Sequence, residues 1–262
     1  ALCLWGLEKD GDPSGVAAPS VSTERLQQQN FKEAFQEVWA EPAARTFTVF
    51  VFMSMLAYSA QDLILEPFAG AVHGFTPGQT TQLSGWHHMG VLVGMLAVAG
   101  AGSRWVAGRL GSVQAWMVGG CLVSALATVG LVSSALSVDW PLKANVVFLG
   151  VANGAFSIAA IATMMRLAGE GGPGREGTRM GLWGAAQAAA FGLGGLLGTA
   201  ASDLAHALLG EQRTAYAAVF GMQALMFAVS AAVASRLRTG PAKQRAPLRF
   251  DGPVLLKGGS SS

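Results

Sequence analysis

The sequence predicts an all-α membrane protein with six transmembrane helices, and three observations carry that prediction. Only 12% of residues are charged and 52% are hydrophobic, against roughly 25% charged in an ordinary soluble domain. Six apolar segments, near 45–68, 83–102, 113–135, 143–166, 179–201 and 214–235, each approach the ~20 residues that a helix needs to cross a hydrocarbon core. The basic residues between them alternate in density from one connection to the next. A net charge of +2 is too small a bias to argue for nucleic acid, and none is expected as a partner. Cys3 and Cys121 lie far apart in apolar surroundings, so neither a disulfide framework nor a metal motif is indicated.

Residues 1–22 open with ALCLWGL, which reads as the end of a preceding helix, so earlier helices are expected upstream. A polar linker with Gly and Pro follows, from Glu8 to Ser22. Residues 23–42 then form an amphipathic helix, capped by Ser22 or Thr23, with Phe31, Phe35, Val38 and Trp39 on one face. Arg25 and Lys32 on its polar side and Trp39 at headgroup level suit a helix lying in the membrane interface. A soluble linker helix is the alternative. Glu41-Pro42 ends it.

The six-helix domain spans 43–238. Lys9, Arg25, Lys32 and Arg45 precede its first span, Arg104 and Arg109 follow the second, and Arg166, Arg175 and Arg179 follow the fourth. Arg236, Arg238 and a basic tail follow the sixth, while the opposite connections hold only Lys143 and Arg213. The excess of positive charge on cytoplasmic connections therefore places both termini inside and the Asp62/Glu66 end outside. Residues 239–262 read as a disordered cytoplasmic tail whose Arg and Lys would meet anionic lipids, at about 1 kcal/mol per close charge.

Chemistry is concentrated between Tyr58 and Met95. Asp62 sits about two turns inside the outer end of the first span, and an acid there is costly unless protonated, paired or facing water. Glu66 is one turn on, and with Gln61 the pair is expected to present oxygens to one outer region, as ligand or coupling groups. A bland reading, in which Asp62 bonds backbone near the helix end, stands beside it. Phe68 to Leu83 reads as the outer loop, with Thr80, Thr81 or Ser84 capping the second span. His87 and His88 follow Trp86. A neutral imidazole can ligate a metal, including the magnesium of a chlorin, but adjacent histidines point about 100° apart on a helix and cannot share one. Interfacial histidines beside a belt tryptophan are the competing reading.

Asn153, Gln187 and Gln223, each on a different span, are expected to form interhelical hydrogen bonds, and Gly90/Gly94, Gly150/Gly154 and Gly194/Gly198 to mark close crossings. No HExxH, CxxC or nucleophile elbow occurs, so no enzyme activity and no metal site are expected.

The loop GSRWVAGRLGS at 102–112 resembles the cytoplasmic signature of the major facilitator superfamily at Gly100, Arg104, Gly108 and Arg109, without the usual acid. Six spans around it resemble one half of a twelve-helix bundle of that superfamily. EVWAEPAARTFTVFVFMSMLAYSAQDLILEPFAG, the TPGQTTQLSG stretch and the helix after it resemble the second half of PucC-type light-harvesting assembly proteins, and GVANGAF and MGLWGAAQA extend the likeness. Asp62, Glu66 and Pro67 match the family's acidic motif, and Thr80, Gln82 and Gly85 its outer-loop motif. The resemblance implies an assembly factor of the bacterial inner, photosynthetic membrane that delivers bacteriochlorophyll to, or chaperones, new antenna polypeptides. It implies bacteriochlorophyll as cofactor, and antenna polypeptides and reaction-centre assembly intermediates as partners. Two other functions compete: a proton-coupled transporter using Asp62 and Glu66, and a structural subunit of a photosynthetic complex.

Overall fold

The computed structural model describes residue 36 and residues 39–101, 112–137, 139–170 and 176–237. The expectations for 1–22, for most of 23–42, for the connections at 102–112 and 169–177 and for the 239–262 tail lie wholly or largely outside them. Within the described residues six helices run α1 Pro42–His73, α2 Pro77–Ala101, α3 Val113–Leu136, α4 Leu142–Glu170, α5 Glu176–Leu209 and α6 Gln212–Ser235. All six are long and apolar enough to cross a membrane, which is the all-α, six-span class that composition predicts.

The ends of the helices follow from local chemistry. Glu41 is extended, and Pro42 occupies the first turn of α1, where its missing N–H forfeits no hydrogen bond. At the other end Gly74 adopts φ 68° and Phe75 N–H reaches back to the Ala69 carbonyl at 3.2 Å, closing the helix with a left-handed glycine cap. The expected outer loop from Phe68 to Leu83 is therefore wrong. Only residues 74–76 separate α1 from α2, because Gly74 stops one helix and Pro77 starts the next. Thr80 and Thr81 do not cap α2; their hydroxyls donate back to the Pro77 carbonyl at 2.9 and 3.0 Å. The cap is instead Gln79 Oε1 accepting from Thr76 N–H at 2.9 Å, one half of a capping box. With 32 residues in α1 and 34 in α5, these helices rise about 48–51 Å at 1.5 Å per residue and exceed the hydrocarbon core. Asp62 consequently lies about three turns inside α1, deeper than the expected two.

Packing repeats within the chain. α2 lies along α4 as α5 lies along α1, α3 meets α4 as α6 meets α1, and α3 and α6 pack together. Exchanging the first three helices with the last three preserves these pairs, the arrangement of an inverted three-plus-three repeat. Glycines make the two long seams. A Cβ on Gly90, Gly94, Gly150 or Gly154 would collide with facing backbone across α2 and α4, and one on Gly194 would lie 2.8 Å from the Leu56 carbonyl oxygen across α5 and α1. This is the close approach that small residues allow when lipid supplies no hydrophobic drive between helices. α2 and α5 are the peripheral helices, with 22% of their most apolar stretch buried against 44–67% elsewhere.

The interior divides into two apolar clusters. One, toward the Pro42 end, gathers Phe47, Phe50, Met117, Cys121, Phe156, Trp183 and Phe227. The other, toward the His73 end, gathers Leu65, Phe68, Leu131, Leu149 and Phe220.

Candidate functional site

The acidic pair and the histidine pair meet where α1 faces α2. Glu66 is half-buried and accepts the Ser84 hydroxyl at 2.7 Å, and the Ser84 carbonyl in turn accepts His88 Nδ1–H at 2.8 Å. Asp62, one turn back on the same face of α1, accepts no hydrogen bond among the described residues, and Tyr58 lies one further turn back. The Tyr58 and His87 rings lie 6.3 Å apart. A carboxylate, a phenol and an imidazole thus surround one side of α1, with a second carboxylate held by Ser84.

The two histidines part company, and the interfacial reading fails for one of them. His87 is fully buried, its Nδ1 3.4 Å from the Val146 carbonyl oxygen of α4 and its Nε2 without a partner. The cause is the seam: with Gly90 and Gly150 letting α2 close on α4, position 87 faces inward. His88 is exposed. Its Nδ1–H is committed to Ser84, which leaves Nε2 as the lone-pair nitrogen, the tautomer a ligating histidine needs. Gly85, one turn below, adds no side chain beside it, and beyond the exposed Gln79, Thr81 and Gln82 the surface of α2 is lined by Trp86, Met89, Leu92, Val93 and Leu96.

Gln61 does not join the acidic pair. It is turned fully into the bundle, because one residue on a helix is a rotation of about 100°, and neither of its amide atoms has a partner. Asn153 bonds as expected, accepting the Ser124 hydroxyl at 2.8 Å. The other two expectations for interhelical bonds fail. Gln223 is fully buried with both amide atoms unpartnered, and Gln187 is half-buried without a hydrogen bond among the described residues.

Two further groupings were not legible from spacing. At the Pro42 end Arg179, in the first turn of α5, donates through Nη1 to the Leu167 carbonyl at 2.9 Å and through Nη2 to the Glu41 carboxylate. One turn on, Trp183 Nε1–H donates to Thr48 Oγ1 at 3.0 Å and its ring meets the edge of Phe47. Nearer the His73 end, a cleft of about 290 Å³ between α1, α5 and α6 is lined by Pro67, Thr199, Ser202, Asp203, His206 and Tyr216. The histidine there is tied by Nδ1–H to the Ser202 carbonyl at 2.7 Å. Arg166 Nε and Glu170 Oε1 stand 3.8 Å apart, an i,i+4 ion pair at the end of α4. Among the described residues no group of three or more His, Cys, Asp or Glu is placed to hold a metal ion.

A multi-pass helical membrane protein with glycine-seamed, inverted three-helix repeats is the class that this fold and site define. The particular family follows from sequence comparison: the model described as PUCC protein matches residues 1–241, and the chain belongs to the PucC family. It is 48% identical over 246 residues to the Bacteriochlorophyll synthase 44.5 kDa chain of Rhodobacter capsulatus, covering 94% of this chain and 55% of that one. An uncharacterized protein of the puhA-bchM intergenic region of Rhodobacter capsulatus is 35% identical over 79% of this chain and 41% of its own length. Protein PucC of the same organism is 31% identical over 80% of this chain and 45% of its own. The chain thus spans about half the length of the curated relatives it matches.

Proposed function

We propose that this chain is part of a non-catalytic assembly factor for photosynthetic light-harvesting complexes, presenting bacteriochlorophyll or a newly inserted antenna helix on the exposed face of α2. The carrying observation is His88, an outward imidazole whose tautomer is set by the Ser84 carbonyl at 2.8 Å, with exposed apolar side chains such as Leu92 and Leu96 further along the helix. Family membership and the relative named for bacteriochlorophyll support the reading. A bound bacteriochlorophyll supplies a magnesium that takes one axial nitrogen or oxygen donor. The residues fit that demand at His88 and not at His87, whose full burial leaves no room for a macrocycle. His88 would bind and orient, Gly85 would leave the neighbouring surface flat, and Leu92, one turn on, would exclude water. An apolar face of this kind suits a single-span antenna polypeptide as well. The reading places the chain in the bacterial inner membrane with both ends of the six-helix domain in the cytoplasm.

Purification in mild detergent from a bacteriochlorophyll-making host tests it. The unaltered protein should carry the chlorin absorption band, H88L should lose most of it, and H87L should keep it. Equal pigment in all three would remove His88 from the site. Antenna polypeptides retained without pigment would favour the chaperone form of the proposal.

Proton-coupled transport is the second reading, favoured by Asp62, deep in α1 and without a hydrogen-bond partner among the described residues. In that case D62N should abolish solute uptake into vesicles; uptake unchanged by D62N would dispose of it.

A further inference from the structure

We propose that the middle of the helix bundle binds a small cluster of ordered water molecules, held by Gln61, Asn153 and Gln223. The two apolar clusters locate it. On α1 the first cluster runs to Ala57 and the second begins at Ile64; on α6 the second runs to Phe220 and the first resumes at Phe227. On α4 the break falls between Leu149 and Phe156. Gln61, Gln223 and Asn153 occupy those breaks, and Ser124 and Thr128 of α3 flank the corresponding one. Four helices therefore place polar side chains at one level, between two dry layers.

The chemistry of the level identifies its ligand. Gln61, Asn153 and Gln223 are each fully buried, and Gln61 Oε1 and Nε2, Gln223 Oε1 and Nε2 and Asn153 Nδ2 have no protein partner. Inside a membrane such amides cannot turn to solvent, and each unpaired one costs several kcal/mol in a hydrocarbon-like setting. The set contains both donors and acceptors and no charge, so it calls for a small neutral molecule that donates and accepts at once. Water does so, with about three hydrogen bonds for a buried molecule. The bonds already present orient the site. Ser124 Oγ–H donates to Asn153 Oδ1 at 2.8 Å, which turns Nδ2 out as a free donor. Thr128 Oγ1–H donates to the Ser124 carbonyl at 2.8 Å, leaving its oxygen able to accept. The inference stands independently of the pigment proposal, since none of these residues lies on the exposed face of α2.

Radiolytic hydroxyl-radical footprinting of the full chain in lipid nanodiscs reads bound water directly, because radicals form from the water beside the residue that they modify. Phe156 and Phe227 lie one turn from Asn153 and Gln223, whereas Phe47 and Phe50 are equally buried within the first cluster. Phe156 and Phe227 should be modified several-fold faster than Phe47 and Phe50, and the Q61L/Q223L double variant should reduce that ratio to near one. A ratio near one in the unaltered protein would overturn the proposal, by showing a dry layer in which the amides pair with each other. That comparison within the unaltered chain decides the matter even where the double variant does not fold.

Discussion

Arg179 shows how one side chain can join three helices. Its guanidinium bridges the Leu167 carbonyl in the last turn of α4 and the Glu41 carboxylate just before α1, positions where helix ends favour a cation and an anion respectively. R179A leaves both without that partner, and the loss should be about 1.5–3 kcal/mol, the range for hydrogen bonds to charged groups. R179K should recover only part, because an ammonium is a point charge and cannot fork between two acceptors. Denaturant unfolding in micelles measures this; an R179A protein as stable as the parent would show the bridge to be incidental. Sequence alone counted Arg179 among the cytoplasmic charges. Nothing in its spacing from Glu41, 138 positions away, could indicate the contact. His87 and His88 teach the same lesson at closer range: as a pair they were visible, but which one turns inward is decided by α4.

At the scale of the helix, glycine decides which faces touch. The small-residue pairs at 90/94, 150/154 and 194/198 are readable as close crossings, and the structure puts the first two against each other and the third against α1. G94L should force α2 away from α4 and cost about 1–3 kcal/mol or more by overpacking. G85L meets nothing within 4 Å of its new Cβ and should be neutral or slightly stabilising, since leucine is the better helix former by up to about 1 kcal/mol. Thermal unfolding of the two variants side by side checks this, and equal stability would mean that the seam is not a tight contact. The turn at 74–76 was legible in principle, with Gly74 and Pro77 as stop and start signals. The polar run from Thr76 to Thr81 outweighed them in hydropathy and suggested a longer loop. Substituting Gly74 by alanine should cost roughly 1–2 kcal/mol, the penalty for an L residue in the left-handed region.

For the whole molecule, charge density predicts orientation. A cysteine at Thr76 or Asp139 should react with a membrane-impermeant maleimide in intact spheroplasts, and one at Ser235 only after lysis. The reverse pattern would overturn the charge-based topology. Cys121 is buried and should stay silent in both. The same arrangement leaves α2 and α5, the second helix of each repeat, at the periphery with apolar side chains exposed.

Sequence by itself determined the class, the six spans and the alternation of charge between their connections, because hydropathy and the cost of burying charge act residue by residue and need no knowledge of neighbours. It also marked Asp62, Glu66, His87 and His88 as the place where polar groups gather. Only the tertiary structure decided which of these groups meet. Glu66 finds Ser84, the Tyr58 ring finds that of His87, Gln61 turns to the interior, and His88 remains outside. The physical reason is that a rotation of 100° per residue, combined with a glycine seam that sets how α2 lies on α4, assigns each side chain to a neighbour, to lipid or to the core.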